Sequence, residues 1–413
     1  MKKTFLLIGY NFHPEPTGIG KYSGEMIHWL AERGYACTVL TTYPYYPYWK
    51  VQEPYVKQRF WYNTEKIDFT SGGSITVHRC PMYVPAQPSG VKRILLDFSF
   101  LVSATLKLVH LAMQTKLDVV FVVAPSFQFG LLGILYKKLR KSKFVYHIQD
   151  MQIEAARDLG MIKSEKLINY LFRAEKYIFD NADVISSISH GMIQGIYKKA
   201  HKSVLLFPNW ADTQVFYPIK NRATLKREFG FEETDKVVLY SGAIGEKQGL
   251  EGVLQAADYH RANQQLQFVI CGSGPYKDKL IGLAQGLQLQ NIHFLPLQPF
   301  DKFNRFLNMA DVHLVIQKSD ASDLVMPSKL TTILAVGGLA LITANENSSL
   351  YSLVHEHGIG LLVRAEDQHA LNEGILKAVS EDNRTITDNA RLYTEANLSI
   401  DNVMEAFTSS VVS

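Results

Sequence analysis

The 413-residue sequence predicts an α/β protein of two doubly wound, Rossmann-like domains in tandem. Three observations lead there. Apolar runs of strand length alternate with amphipathic helical stretches, the pattern of parallel sheets joined by crossover helices. The alternation pauses near Pro208-Asn209-Trp210-Ala211-Asp212 and resumes after the charged segment Lys220–Glu233. Several runs end in glycine- or lysine-bearing turns, where such sheets hold ligands.

At about 150 residues per domain the length suggests two or three domains. The single pause selects two, residues 1–210 and 218–390, with 391–413 expected as a C-terminal helix packing back on the first. The expected strands of the first half are Phe5–Tyr10, Ala36–Thr41, Ile75–Cys80, Val119–Val123, Phe144–Ile148, Val184–Ser187 and Val204–Phe207. Those of the second are Val237–Ser241, Gln267–Cys271, Ile292–Leu295, Val312–Ile316 and Leu339–Thr343. Two such sheets facing each other would enclose a central cleft at their carboxyl edges.

Composition is that of a soluble globular protein, 47% hydrophobic and 20% charged, and no tract is expected to be long enough to span a bilayer. A net charge of +4 calls for no nucleic-acid partner. Cys37, Cys80 and Cys271 stand far apart in or beside apolar runs, which argues for buried thiols in a reducing compartment and against a disulfide or zinc framework. The opening MKKTFLLIGYNF has the lysines and apolar run of a signal peptide. Polar Asn11, His13 and Glu15 follow at once without a small-residue cleavage site, so it reads as the first strand of a cytoplasmic chain.

Three strand-to-turn junctions carry the candidate chemistry. In GYNFHPEPTGIGKY, Gly18 and Gly20 stand before a helix expected around Lys21, where bare backbone can approach a ligand. The dinucleotide fingerprint is absent, since Thr41 and Thr42 occupy the end of the second strand where an acidic residue belongs. In SGAIGEKQGL, Ser241 and Gly242 end a strand and Lys247 opens a helix. In CGSGP, Gly272 and Ser273 make a tight turn. A fourth stretch, DLVMPSKLTTILAVGG, turns at Met326-Pro327 and runs on as a helix into the last strand. Ser328 can cap its free amides and Lys329 stands beside them, a seat for phosphate; otherwise Ser328 caps an ordinary helix and Lys329 is solvated. No Asp-x-Asp pair lies in a strand-end loop, so neither an obligatory metal nor a cofactor is expected.

Jointly these motifs resemble the retaining glycosyltransferases of family 4, whose GT-B fold consists of two facing Rossmann-like domains. The likeness runs over essentially the whole chain. EPTGIGKYSGEM is similar to the family's N-terminal glycine loop, FPNWADTQVF to its hinge, SGAIGEKQGL to the strand and lysine that hold the donor diphosphate, and PSKLTTILAVGG to its donor-binding helix. The resemblance extends to bacterial exopolysaccharide enzymes of the colanic-acid fucosyltransferase type. It implies a nucleotide-sugar donor, GDP- or UDP-linked with GDP-fucose among the candidates, and a saccharide acceptor, polyprenyl-diphosphate-linked, in exopolysaccharide or capsule synthesis.

The departures are as informative. The family's two glutamates fall here at Leu324 and Thr332; Thr332 can still bond a hydroxyl, whereas Leu324 cannot. The arginine that often precedes the diphosphate lysine is Ala243. A catalytic-region histidine falls at Gln149, with His147 two residues earlier, and the acidic pair kept by members that lack that histidine is Asp150 and Glu154.

Retaining transfer builds negative charge on the leaving diphosphate, which amides and lysines stabilise in a water-poor site. Gly18, Gly20, Lys247 and Lys329 are expected in that role, with Ser241, Gly242, Gly272, Ser273, Leu295, Pro327, Ser328 and Thr332 completing the donor site; the base belongs near Phe294–Leu297. Asp150, at the carboxyl end of a strand, is a proton acceptor or a loop aspartate. His147 is a catalytic or a core histidine.

The segment Tyr43–Tyr62 is dense in tyrosine and tryptophan. Tyr46, Tyr48 and Trp49 there, with Glu154, are expected to meet the acceptor as a lid, unless the loop packs on its own sheet. Val91–Met113 is a strongly apolar helix with Lys92 and Arg93 at its start. It lies on an anionic membrane or is buried against the first sheet. Basic clusters at Lys137–Lys143 and Lys198–Lys202 add to the membrane reading. Other classes remain. An epimerase shares the fold but its carboxylates and histidine are not recognisable, and a dehydrogenase lacks its fingerprint. A nucleotide-binding scaffold subunit is compatible with Leu324 and Thr332.

Overall fold

A computed structural model describes residues 3–412 except Thr17, Thr115, Pro125, 159–161, Lys163 and 318–326; of Ala155, Asp158 and Lys247 it describes the backbone alone. The chain forms two compact units, Met1–Pro208 with Met404–Ser413, and Asn209–Val403.

The first unit is built on a sheet of β1 (Phe5–Ile8), β2 (Ala36–Thr42), β3 (Asn63–Asp68), β4 (Ser74–Cys80), β5 (Val119–Ala124), β6 (Lys143–Ile148), β7 (Val184–Ser187) and β8 (Val204–Leu206). Their order is β3-β4-β2-β1-β5-β6-β7-β8. All pairs are parallel except β3 with β4. Every residue of β1 and β5 is buried, because helices cover both faces, and this is why these strands read as unbroken apolar runs. β1 lies between β2 and β5, so the crossovers diverge there and leave an opening at the carboxyl ends.

The second unit holds β9 (Lys236–Ser241), β10 (Leu266–Cys271), β11 (Ile292–Leu295), β12 (Val312–Val315), β13 (Ala340–Thr343) and β14 (Leu361–Val363), in the all-parallel order β11-β10-β9-β12-β13-β14. Alternation along β9 sends Val238 and Tyr240 into one core with Phe268 and Leu314, and Val237 and Leu239 into another with Val269 and Phe306. Its switch point lies between β9 and β12. β3 and β14 are additions to the sequence-based set. NTEKID is mostly exposed at a sheet edge, so it carries no apolar signal, and β14 is three residues long.

Helix α1 (Gly18–Glu32) opens before Lys21, since Gly18 takes φ +60°, a turn glycine makes without steric cost. Helix α2 (Gly90–Gln114) overturns the expectation that no tract could span a bilayer: by length and composition it could. One face is nevertheless packed in the unit, with Phe100 edge-on to Tyr10 and Phe129. The C-terminal helix Ile400–Val412 brings Phe407 onto Phe207, rings stacked at 4.3 Å, and edge-on to Phe121 at 5.5 Å. All three cysteines are buried and free.

Candidate functional site

In the second unit the parallel register aligns Ser241, Cys271 and Leu295 across the ends of β9, β10 and β11. The turns beyond them are laced together. The Gly242 amide donates to the Cys271 carbonyl at 3.0 Å and the Ile244 amide to the Ser273 carbonyl at 2.9 Å. The approach is so close that a Cβ on Gly272 would stand 1.9 Å from the Gly242 carbonyl oxygen. Glycine is thus required here by the protein's own backbone. Lys277, not singled out from sequence, donates from Nζ to the carbonyls of Gly272 and Leu295, each at 3.2 Å, and pins the rim. The structure therefore brings Ser241, Gly242, Gly272, Ser273 and Leu295 into one row.

The helix Ser328–Ala335 reaches the same row. Its N-cap is Pro327, which offers no capping side chain, and Ser328 is the first helical residue. This corrects the expected cap at Ser328: its carbonyl accepts from the Thr331 hydroxyl at 2.8 Å and its own side chain is exposed. Lys329 reaches back across β9. Its Nζ sits 3.6 Å from the centroid of the Tyr240 ring, and its Cδ is 3.8 Å from where a Cβ on Gly242 would stand. The stem is partly exposed, but the ammonium is shut off from solvent with no hydrogen-bond partner among the described residues. Burial alone pushes its pKa down from 10.5 to about 7. An ammonium so placed is expensive to hold, since a cation over a ring recovers only part of its lost hydration. It suits an anion that arrives later, at a helix start whose amides lack a side-chain cap. Thr332 is half-buried in the same helix. The side chain of Lys247 lies outside the described atoms; its backbone forms the single turn Glu246–Gln248. Leu324 and Met326 also lie outside the described residues.

In the first unit His147 takes the core place of its two expected ones, which corrects the catalytic one. His147 is 2% exposed, stacked on Phe121 and edge-on to Phe207, with Nδ1 3.0 Å from the Ser186 hydroxyl. Burial lowers its pKa to about 3, so it is a neutral packing residue with no face open to a substrate. Asp150 is half-buried two residues beyond β6 and has partners of its own. Glu154 is also removed from open solvent: one carboxylate oxygen meets Lys199 at 2.5 Å, and Lys199 binds Glu175 at 2.7 Å as well. Its other oxygen is buried without a hydrogen-bond partner among the described residues. Tyr46 and Tyr48 are exposed, whereas Trp49 leans on Tyr45 and Tyr46. The base of that loop is packed, Tyr43 and Tyr45 clustering with Val51 and Leu96.

Gly18 has open space where a side chain would stand. Gly20 does not: a Cβ there would meet the Glu15 carboxylate at 2.7 Å. Glu15 is 3% exposed and accepts from the Asn11 side chain and the amides of Tyr45 and Tyr46 at 2.7, 3.0 and 2.9 Å. It clasps the glycine loop to the aromatic loop. Burial, opposed by these donors, raises its pKa to about 7. Asp97 is likewise buried, and its pKa rises to about 6, again through burial, eased by the Ser126 and Gln128 side chains. Sequence reasoning missed both carboxylates, although a lone aspartate in an apolar 25-residue helix was a signal.

Residues 17–210 match the glycosyl transferase 4-like domain family and residues 221–395 the glycosyl transferases group 1 family. The chain is 40% identical over 415 residues to a protein assigned to colanic acid biosynthesis, the glycosyl transferase WcaI of Escherichia coli K12, covering 98% of this chain and 99% of that one. Among solved structures, sucrose-phosphate synthase from Thermosynechococcus elongatus superposes with a TM-score of 0.73 at 16% identity, over 99% of this chain and 98% of that one. Anabaena HepE in complex with UDP and glucose superposes with a TM-score of 0.70 at 12% identity, over 99% of both chains. Matched in both halves and along its whole length, the chain belongs to the group 1, GT4-like glycosyltransferases and has their GT-B fold.

Proposed function

We propose that the chain is a retaining hexosyltransferase that moves a sugar from a GDP- or UDP-linked donor to a saccharide carried on a polyprenyl diphosphate, in colanic-acid-like exopolysaccharide or capsule synthesis on the cytoplasmic side. The observation that carries the reading is the buried ammonium of Lys329, without a hydrogen-bond partner among the described residues, beside the bare backbone of Gly242. Support for the donor class comes from HepE, solved with UDP and glucose, and for the process from WcaI. In the reaction the bond between the anomeric carbon and the diphosphate oxygen breaks, and the acceptor oxygen bonds the same carbon on the same face. Lys329 and Lys247, with strand-end amides, balance the charge left on the diphosphate. The acceptor proton passes to that diphosphate or to Asp150. No metal takes part. The replacement of both family glutamates by Leu324 and Thr332 favours a second reading, a nucleotide-binding scaffold. Incubation with GDP-fucose, UDP-glucose and other nucleotide sugars, a polyprenyl-diphosphate-linked acceptor and EDTA separates the two. Release of nucleoside diphosphate with a glycosylated lipid product supports the transferase, while tight binding without turnover across the panel leaves the scaffold.

A further inference from the structure

Helix α2 has two apolar faces. Leu96, Phe100, Ala104, Leu108 and Leu111 are buried. Ile94, Phe98, Val102, Leu106, Val109 and Met113 repeat the same spacing on the other side and are exposed, Phe98 by 60% and Met113 by 72%. The stripe runs the length of a 25-residue helix, roughly 37 Å at 1.5 Å per residue. A helix with one face packed in its own unit cannot cross a bilayer, but one with a bare apolar face can lie in its surface.

The surroundings decide what covers it. Exposed aromatic residues are tied to the helix flank: the Tyr62 hydroxyl donates to the Ser103 carbonyl at 2.9 Å, and the Tyr83 amide donates to the Ser99 hydroxyl at 2.9 Å. Beside Tyr62 stand Phe60 and Trp61, the latter 75% exposed. Rings with a polar edge sit at the depth of lipid headgroups. Lys92 and Arg93 are exposed at the helix start, and its sole carboxylate, Asp97, is buried. Of the other basic clusters, Lys138, Lys141 and Lys198 are exposed, whereas three members are engaged internally. Lys137 pairs with Asp183, Lys199 with Glu154 and Glu175, and Lys202 donates to three backbone carbonyls. The face is thus apolar and aromatic-rimmed, and the helix itself carries no exposed carboxylate.

We propose that the exposed face of α2, with the aromatic corners at Phe60–Tyr62 and Tyr83, is the surface on which the protein lies in the headgroup layer of an anionic bilayer. The proposal is independent of the donor reading, because membrane contact is measurable without nucleotide or turnover.

The full chain is sedimented with vesicles of phosphatidylcholine alone or mixed with phosphatidylglycerol. Binding to the mixed vesicles at low salt, at least tenfold tighter than to the neutral ones and weakened by added salt, is expected. Trp61 emission should shift to the blue and be quenched by brominated lipid, and Trp61→Phe should remove the shift. Combined Lys92→Gln and Arg93→Gln should weaken binding about thirtyfold, at ~1 kcal/mol per charge. Combined Ile94→Ser, Phe98→Ser and Leu106→Ser should weaken it at least tenfold at unchanged net charge and unfolding midpoint. Absence of binding to mixed vesicles, unaltered binding by the serine variant, or a soluble dimer abolished by the same three serines would each overturn the proposal, the last by showing that a second copy covers the face.

Discussion

Replacing Lys329 by methionine should stabilise the second unit and disable the protein. The side chain keeps its length while losing the ammonium, which in the free fold is buried over Tyr240 with no hydrogen bond among the described residues. A lysine whose pKa falls from 10.5 unfolded to about 7 folded holds fewer protons when folded. Its penalty is therefore complete below pH 7 and relieved as pH rises toward 10.5. At 1.36 kcal/mol per decade the penalty is about 4 kcal/mol at pH 7.5 and about 1 kcal/mol at pH 9.5. Against this, methionine forgoes the attraction of the charged fraction of Lys329 for the Tyr240 ring, worth up to about 2 kcal/mol at full charge. A net gain of about 3 kcal/mol should raise the unfolding midpoint of a unit this size by about 6–12 °C. Calorimetry at pH 7.5 and 9.5 measures both the gain and its shrinkage. Nucleoside diphosphate affinity should fall in the same variant, and turnover by about a hundredfold, or ~3 kcal/mol, whereas Lys302→Ala, at an exposed lysine of the same unit, should change neither. Unchanged stability with intact nucleotide affinity would refute the argument, because the ammonium would then be neither strained in the free protein nor used by the ligand.

Gly272→Ala should destabilise the second unit by about 3 kcal/mol in urea unfolding and weaken nucleotide binding, since its Cβ would collide with the Gly242 carbonyl at 1.9 Å. Glu15, with a pKa raised from 4.5 to about 7 in the fold, contributes stability that is full below pH 4.5 and lost as pH rises through 7. Between pH 5 and 8 this amounts to about 2–3 kcal/mol, and Glu15→Gln should remove that slope from the first unit's unfolding curve. Phe407→Ala should cost the first unit about 3–5 kcal/mol, read from its thermal transition, by removing the ring stacked on Phe207.

Buried parallel strands were legible because helices on both faces force continuous apolar runs such as FVVA in β5. The exposed edge strand NTEKID was not, since half of its environment is water. The row of strand-end residues from Ser241 to Leu295 could be read because glycines that follow buried strands mark close backbone approach. What the glycines approach could not: Gly272 meets Gly242, and Gly20 meets Glu15. Side-chain depth is likewise set by tertiary packing. Nothing local distinguishes the sealed ammonium of Lys329 from a solvated lysine, and alternation along β6 left His147 undecided until Phe121 and Phe207 closed on it. Pro327 displaced Ser328 from the cap by one residue, within the usual uncertainty of helix ends.

The first unit is completed by residues 404 onward, after the whole second unit has passed. During synthesis Phe121 and Phe207 must therefore wait for Phe407 while residues 209–403 are made, on the order of 10–40 s at ~5–20 residues per second. The nascent first unit spends that interval with an aromatic face unsealed, so the second unit can fold while the first is still incomplete. Chains stalled before Phe407 should be cleaved by protease in the first unit and protected in the second; the opposite pattern would show that the terminal helix is not what closes it.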